Sequence, residues 1–110
     1  MAKLPGQPTR GSISGRPVMV LLDALGKRWT LRLLWELHRN GAGTFRELRA
    51  RCEDVSPTSL NNRLKELREL NLIELNERGF VLTAQGRSLS LLLKPLDQWA
   101  KKWAQTIETN

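Results

Sequence analysis

The sequence predicts a mainly α fold in which one short β-hairpin interrupts a run of helices, and three observations carry that reading. Leucine dominates an apolar fraction of 40% while β-branched runs are almost absent, a composition that leans helical. Ser56-Pro57 is a paired helix start signal, placed shortly after an earlier amphipathic segment. Two strand-like runs, 72–75 and 80–82, flank the turn-forming stretch Asn76-Glu77-Arg78-Gly79.

The elements follow in order. Residues 1–15 hold Pro5, Gly6, Pro8, Gly11 and Gly15 among small polar residues with no helical or strand period, so a disordered tail is expected. Its charges are all positive, and a basic arm on a polyanion is the alternative reading. One domain is expected over 16–107. The first helix starts at Pro17 and places Val18, Leu21, Leu22 and Leu25 at i, i+3, i+4, i+7, with Gly26 as its stop. The second covers about 29–39. Leu33, Leu34 and Leu37 line one face, and Leu31, Trp35 and His38 widen the apolar arc, as suits a central helix. Residues 40–43 read as a turn. Thr44 and Glu47 have the spacing of a capping box and open a third helix with Phe45, Leu48 and Cys52 inward. The fourth is capped by Ser56 and runs to about Leu70, where Asn71 can take the left-handed conformation that stops it. After the hairpin, Thr83 caps a last helical region from about 84 to 107, bent or divided near Pro95.

Two short helices joined tightly around 53–55 and followed by a small hairpin outline a winged helix-turn-helix, with the hairpin as wing and the terminal helices left for dimerisation. In such units the second helix of the pair enters the major groove. Leu60, Leu64 and Leu67 share one face of the fourth helix; Thr58, Asn62 and Lys65 point the opposite way, with Ser59 and Asn61 beside them and Glu66 and Glu69 later. Asn can pair bidentately with adenine, and a Thr methyl can meet a thymine methyl. The helix start at Ser56 favours a nearby phosphate. Arg46, Arg49, Arg51 and Arg63 are candidate phosphate contacts, which hold register without reading sequence. Arg78 at the hairpin tip is a candidate for the minor groove, weakened by Glu77 beside it. A net charge of +7 agrees with double-stranded DNA as partner but is unspecific by itself.

Leu25-Gly26-Lys27-Arg28-Trp29-Thr30, Phe45-x-Glu47-Leu48, Ser56-x-x-x-Leu60-x-x-x-Leu64-x-x-Leu67, Leu82-Thr83-x-x-Gly86, Pro95 and Trp99 together resemble the HxlR-like bacterial regulators, relatives of the MarR group, over about 16–104. The resemblance implies a dimeric winged-helix transcription regulator, in most members a repressor. The chain departs from that pattern in three places. Arg16-Pro17 stands where many members have Cys-Pro, a cysteine that senses electrophiles or oxidants in some of them. Thr44 stands where many have Arg, and the wing is shorter than usual.

Leu89, Leu92, Leu96, Trp99 and Trp103 follow a 3-4-3-4 spacing, a seam of the kind helices use to pair. With Leu21 of the first helix, Leu92, Leu96, Trp99 and Trp103 are the expected homodimer interface; closing the domain's own core is the alternative use. Catalysis is not expected. His38 is the only histidine, Cys52 the only cysteine, and no nucleophile–base set, metal cluster or phosphate-binding glycine loop is visible, so neither metal nor cofactor is expected. No apolar run approaches the roughly 18 residues of a membrane span, and no signal peptide opens the chain, which points to a cytoplasmic protein away from membranes. A small-molecule effector is compatible with the sequence but not identified by it. Two other functions fit the same elements: a winged-helix module that binds protein, and an architectural DNA binder without sequence preference.

Overall fold

The computed structural model describes residues 2–108. The element order is α1 (Pro17–Leu25), α2 (Thr30–Asn40), α3 (Phe45–Arg51), α4 (Pro57–Glu69), β1 (Ile73–Asn76), β2 (Gly79–Leu82) and α5 (Ala84–Glu108). This is the mainly α winged helix-turn-helix the sequence predicts. Residues before α1 run as linked turns, with Gly6 N–H donating to the Gly15 carbonyl and the Arg10 guanidinium paired with Asp23 of α1. That guanidinium, with Thr9, holds the Asp23 carboxyl below its usual range.

The core gathers Leu33, Leu34 and Leu37 of α2, Leu48 of α3, Leu60, Leu64 and Leu67 of α4, and Leu72, Ile73 and Leu82 of the hairpin. Helix α2 is thus the central one, as its wide apolar arc requires. Fixing α4 through three fully buried leucines leaves its opposite face in water.

Local chemistry sets the junctions, sometimes differently from expectation. Gly26 follows α1 but has φ −76, so it is not a left-handed stop. The chain instead reverses at Trp29, whose φ is 78 and whose ring lies beneath the Arg28 guanidinium at 5.4 Å. The capping box of α3 forms in both directions: Thr44 N–H donates to Glu47 Oε1 at 2.9 Å, and Glu47 N–H donates to Thr44 Oγ1 at 3.1 Å. Ser56 Oγ accepts from Ser59 N–H at 3.2 Å to start α4, and Asn71 takes φ 59 just beyond its end.

The hairpin pairs Ile73 with Leu82 and Asn76 with Gly79, leaving Glu77-Arg78 as a two-residue turn. Such turns usually need left-handed residues. Here neither residue has positive φ, and the Asn76 side chain closes the loop by accepting from Arg78 N–H at 2.8 Å. Residues 40–43 do more than turn, because Gly43 exchanges both backbone hydrogen bonds with Phe80 and adds a third strand-like edge to the wing. Gly79 permits that approach: a Cβ there would lie 2.4 Å from the Gly43 carbonyl oxygen. Gly86, in the first turn of α5, has the same function: a Cβ there would come within 2.0 Å of the Leu72 carbonyl oxygen. Thr83 ties the junction, its hydroxyl donating to Asn71 O at 2.7 Å and accepting from Gly86 N–H at 3.0 Å.

Pro95 does not divide the last helix, which continues as one element to Glu108. Proline removes the hydrogen bond to the carbonyl of residue i−4. That residue, Leu91, and Pro95 itself are both exposed, so water can serve the freed carbonyl.

Candidate nucleic-acid interface

The α3–α4 connection is tight and strained. Glu53 and Asp54 both have φ 56, a left-handed conformation unfavourable for non-glycine residues. Hydrogen bonds hold it there: Asp54 N–H donates to Arg49 O at 2.9 Å, Val55 N–H to Cys52 O at 3.1 Å, and Arg49 Nε to Val55 O at 2.8 Å. Arg32 of α2 reaches in as well, with Nη2 donating to the Arg51 carbonyl at 2.9 Å and Nη1 lying 3.8 Å from the Glu53 carboxylate. Cys52 is fully enclosed beneath this connection, and burial pushes its thiol up from the ordinary cysteine range, away from thiolate chemistry.

On α4, Thr58, Asn61, Asn62 and Lys65 are exposed and Ser59 is half-buried. Ser56, also exposed, is engaged as cap. The structure therefore brings the predicted base-reading residues onto one open surface. Glu66 is placed differently from the outward position expected. Its side chain is only 18% exposed, and its carboxylate sits between Lys27 Nζ at 2.8 Å and Arg63 Nη2 at 2.7 Å, which neutralise it at the edge of the face.

The predicted phosphate contacts fall into two groups. Arg46 is exposed without a side-chain hydrogen bond or ion pair. Arg49, Arg51 and Arg63 have partners within the chain. Arg51 donates from Nη1 to Gly41 O and from Nη2 to Ala42 O, each at 3.0 Å, and so satisfies carbonyls left open beyond the end of α2. Arg78 is exposed at the wing tip.

Sequence reasoning missed Arg68. It lines an open groove of about 530 Å³ between α4 and the wing, together with Asn61, Lys65 and Phe80. Asn61, Lys65 and Arg68 stand at i, i+4, i+7, so the spacing that exposed the leucine face would also have found this stripe.

The proposed dimer residues are distributed less evenly. Leu92, Leu96, Trp99 and Trp103 are all more than half exposed, and the two indoles stack with ring centroids 6.1 Å apart. Leu21 is half-buried, whereas its neighbours Val18 and Leu22 are the exposed apolar residues of α1. Leu89 packs against the core. Among the described residues no group of His, Cys, Asp or Glu could hold a metal ion, and no helix is long and apolar enough to cross a membrane.

A buried-backed helix presenting amides, hydroxyls and cations, set behind a short helix and ahead of a wing, defines a winged helix-turn-helix protein. Comparison with known proteins agrees. The profile of the HxlR-like helix-turn-helix family matches residues 24–108, and the chain belongs to that family. It is 29% identical over 89 residues to the uncharacterized HTH-type transcriptional regulator YvaP of Bacillus subtilis strain 168, covering 74% of this chain and 82% of that protein. It is 26% identical over 91 residues to the uncharacterized HTH-type transcriptional regulator MJ0925 of Methanocaldococcus jannaschii, covering 79% and 85%. Among solved structures, quinone-bound YodB of B. subtilis superposes with a TM-score of 0.69 at 28% identity, covering 74% of this chain and 92% of YodB. A possible HxlR family transcriptional factor from Thermoplasma volcanium GSS1 gives 0.66 at 27% identity, covering 77% and 82%.

Proposed function

We propose that the protein is a dimeric, sequence-specific repressor that reads the major groove with α4 and works in the cytoplasm. The observation that carries this reading is the division of α4. Leu60, Leu64 and Leu67 are at most 2% exposed, while Thr58, Asn61, Asn62 and Lys65 are open and have no side-chain partner. Polar residues held on a rigid helix without internal bonds are available to base edges. Arg46, Lys65, Arg68 and Arg78 then supply the free positive charge for phosphates, with Arg78 adding what the short wing can reach. Dimerisation rests on the row Leu92, Leu96, Trp99 and Trp103 of α5, apolar surface that a second copy would cover. Two copies of α4 about 34 Å apart would meet successive major grooves of an inverted repeat. Repression rests on the family resemblance. YodB is known with a quinone bound; for this chain a thiol response to such an electrophile is not proposed, because Cys52 is buried and Arg16 replaces the N-terminal cysteine.

Selection of bound duplexes from a random pool tests specificity, symmetry and half-site spacing together. An inverted repeat is expected, and Asn62→Ala should lower discrimination at one position of each half-site by about 1–3 kcal/mol. Equal affinity for selected and random duplexes would favour an architectural binder, and no duplex binding at low salt would favour a protein-interaction module.

A further inference from the structure

Away from α4 and the wing, a cleft runs along α2, between it and the middle of α5. Trp35 and Asp97 border both of its compartments, one edged by cations and the other mainly apolar. One, of about 410 Å³, is walled by Trp35, His38, Arg39, Lys94, Asp97 and Lys101. The other, of about 260 Å³, is walled by Leu31, Trp35, Leu93, Asp97 and Ala100, with Arg32 along its side and with Leu96, which also belongs to the row proposed for the dimer. Volumes of this order suit a small molecule.

The charge in the first compartment is unbalanced. Lys101 Nζ is 3.3 Å from the Asp97 carboxylate, which accounts for the single acid there. Arg39 and Lys94 are exposed and have no hydrogen bond or ion pair, and His38 beside them has none either. Unpaired cations next to an indole face, continuous with an apolar slot, match one kind of occupant. Its ring fills the Leu31–Leu93–Ala100 side and its negative group faces Arg39 and Lys94.

We propose that this α2–α5 cleft is a binding site for a small aromatic anion, such as an aryl carboxylate. Binding stands independently of the DNA reading; its consequence rests on that reading. Arg32 lines the apolar compartment, and its guanidinium holds the Arg51 carbonyl and faces Glu53 in the strained α3–α4 connection. A ring seated against Arg32 therefore bears on the connection that sets the attitude of α4.

Calorimetric titration of the full chain with sodium 2-naphthoate and with neutral 2-naphthalenemethanol tests the site. Saturable binding of one naphthoate per chain is expected, at least about tenfold tighter than the alcohol. The R39Q/K94Q variant changes two exposed, unbonded side chains and should fold normally, yet lose that preference. Equal binding of the two probes, absence of saturable naphthoate binding, or an unaltered preference in the variant would overturn the proposal. Duplex affinity separates the remaining outcomes. If R39Q/K94Q weakens duplex binding without naphthoate and lowers the salt slope, the cations serve the DNA backbone and the proposal falls. If naphthoate binds but leaves duplex affinity unchanged, the coupling through Arg32 falls and the site stands. If the wild-type chain binds no duplex, the DNA reading fails while the titration still decides the site.

Discussion

Arg46 and Arg51 lie on the same short helix, and a sequence assigns them the same use. In the fold they differ completely. Arg46, in the first turn of α3, points into water with no partner. Arg51, in the last turn, spends two donors on the carbonyls of Gly41 and Ala42. The difference comes from what each end of a helix faces. Where α2 ends, carbonyls lack intrahelical partners, and a guanidinium arriving from α3 satisfies two at once. Positive charge around the helix-turn-helix is thus of two kinds: one set is bonded within the fold (Arg32, Arg49, Arg51, Arg63), and the other has no partner in the chain (Arg46, Lys65, Arg68, Arg78).

The sharpest way to break this comparison is Arg51→Ala. Removing two charge-assisted hydrogen bonds from a half-buried group should destabilise the fold by about 3 kcal/mol, read as a lower urea midpoint at unchanged slope. Loss of duplex affinity with a wild-type midpoint would instead place Arg51 among the DNA contacts. Arg49→Ala should cost about 1.5 kcal/mol, because its Nε bond to Val55 O braces the left-handed Glu53-Asp54 pair. Its effect on duplexes should follow from a looser α4, with a salt slope close to wild type.

The free set should behave in the opposite way. Arg46→Ala, or Lys65→Ala with Arg68→Ala, should shift stability by no more than about 0.5 kcal/mol. Each lost phosphate contact should reduce the steepness of the log–log salt slope by about 0.9. A slope unmoved by all three changes would remove these residues from the interface.

The comparison also marks what the sequence could and could not tell. Caps, leucine periodicity and the Asn76–Gly79 turn are local signals, and they placed every helix and both strands within a residue or two. The outward residues of α4 were legible for the same reason, since one buried face determines the other. Partners distant in sequence left no such trace. Nothing near Glu66 announces Lys27, which is 39 residues away, and nothing near Arg51 announces the Gly41 carbonyl. The Gly43–Phe80 bridge was hidden because a single glycine has no strand period, although the close approach explains why residue 79 is glycine.

The smallest expected effect concerns the acid on the same short helix. Glu47 accepts from the backbone of Thr44 and is held below the usual glutamate range, first by that bond and then by the Thr44 side chain. A carboxyl with a lowered folded pKa stabilises the fold at pH values above its unfolded pKa, about 4.3, and that contribution fades as the pH falls through the folded value. Glu47→Gln keeps an acceptor for the capping box but removes the charge. The variant should therefore be slightly less stable than wild type at pH 7, and the gap should narrow as the solution is acidified. A gap that widens with acid would mean that the Glu47 carboxylate opposes folding, and that the start of α3, unlike its end, is not organised around the charge it carries.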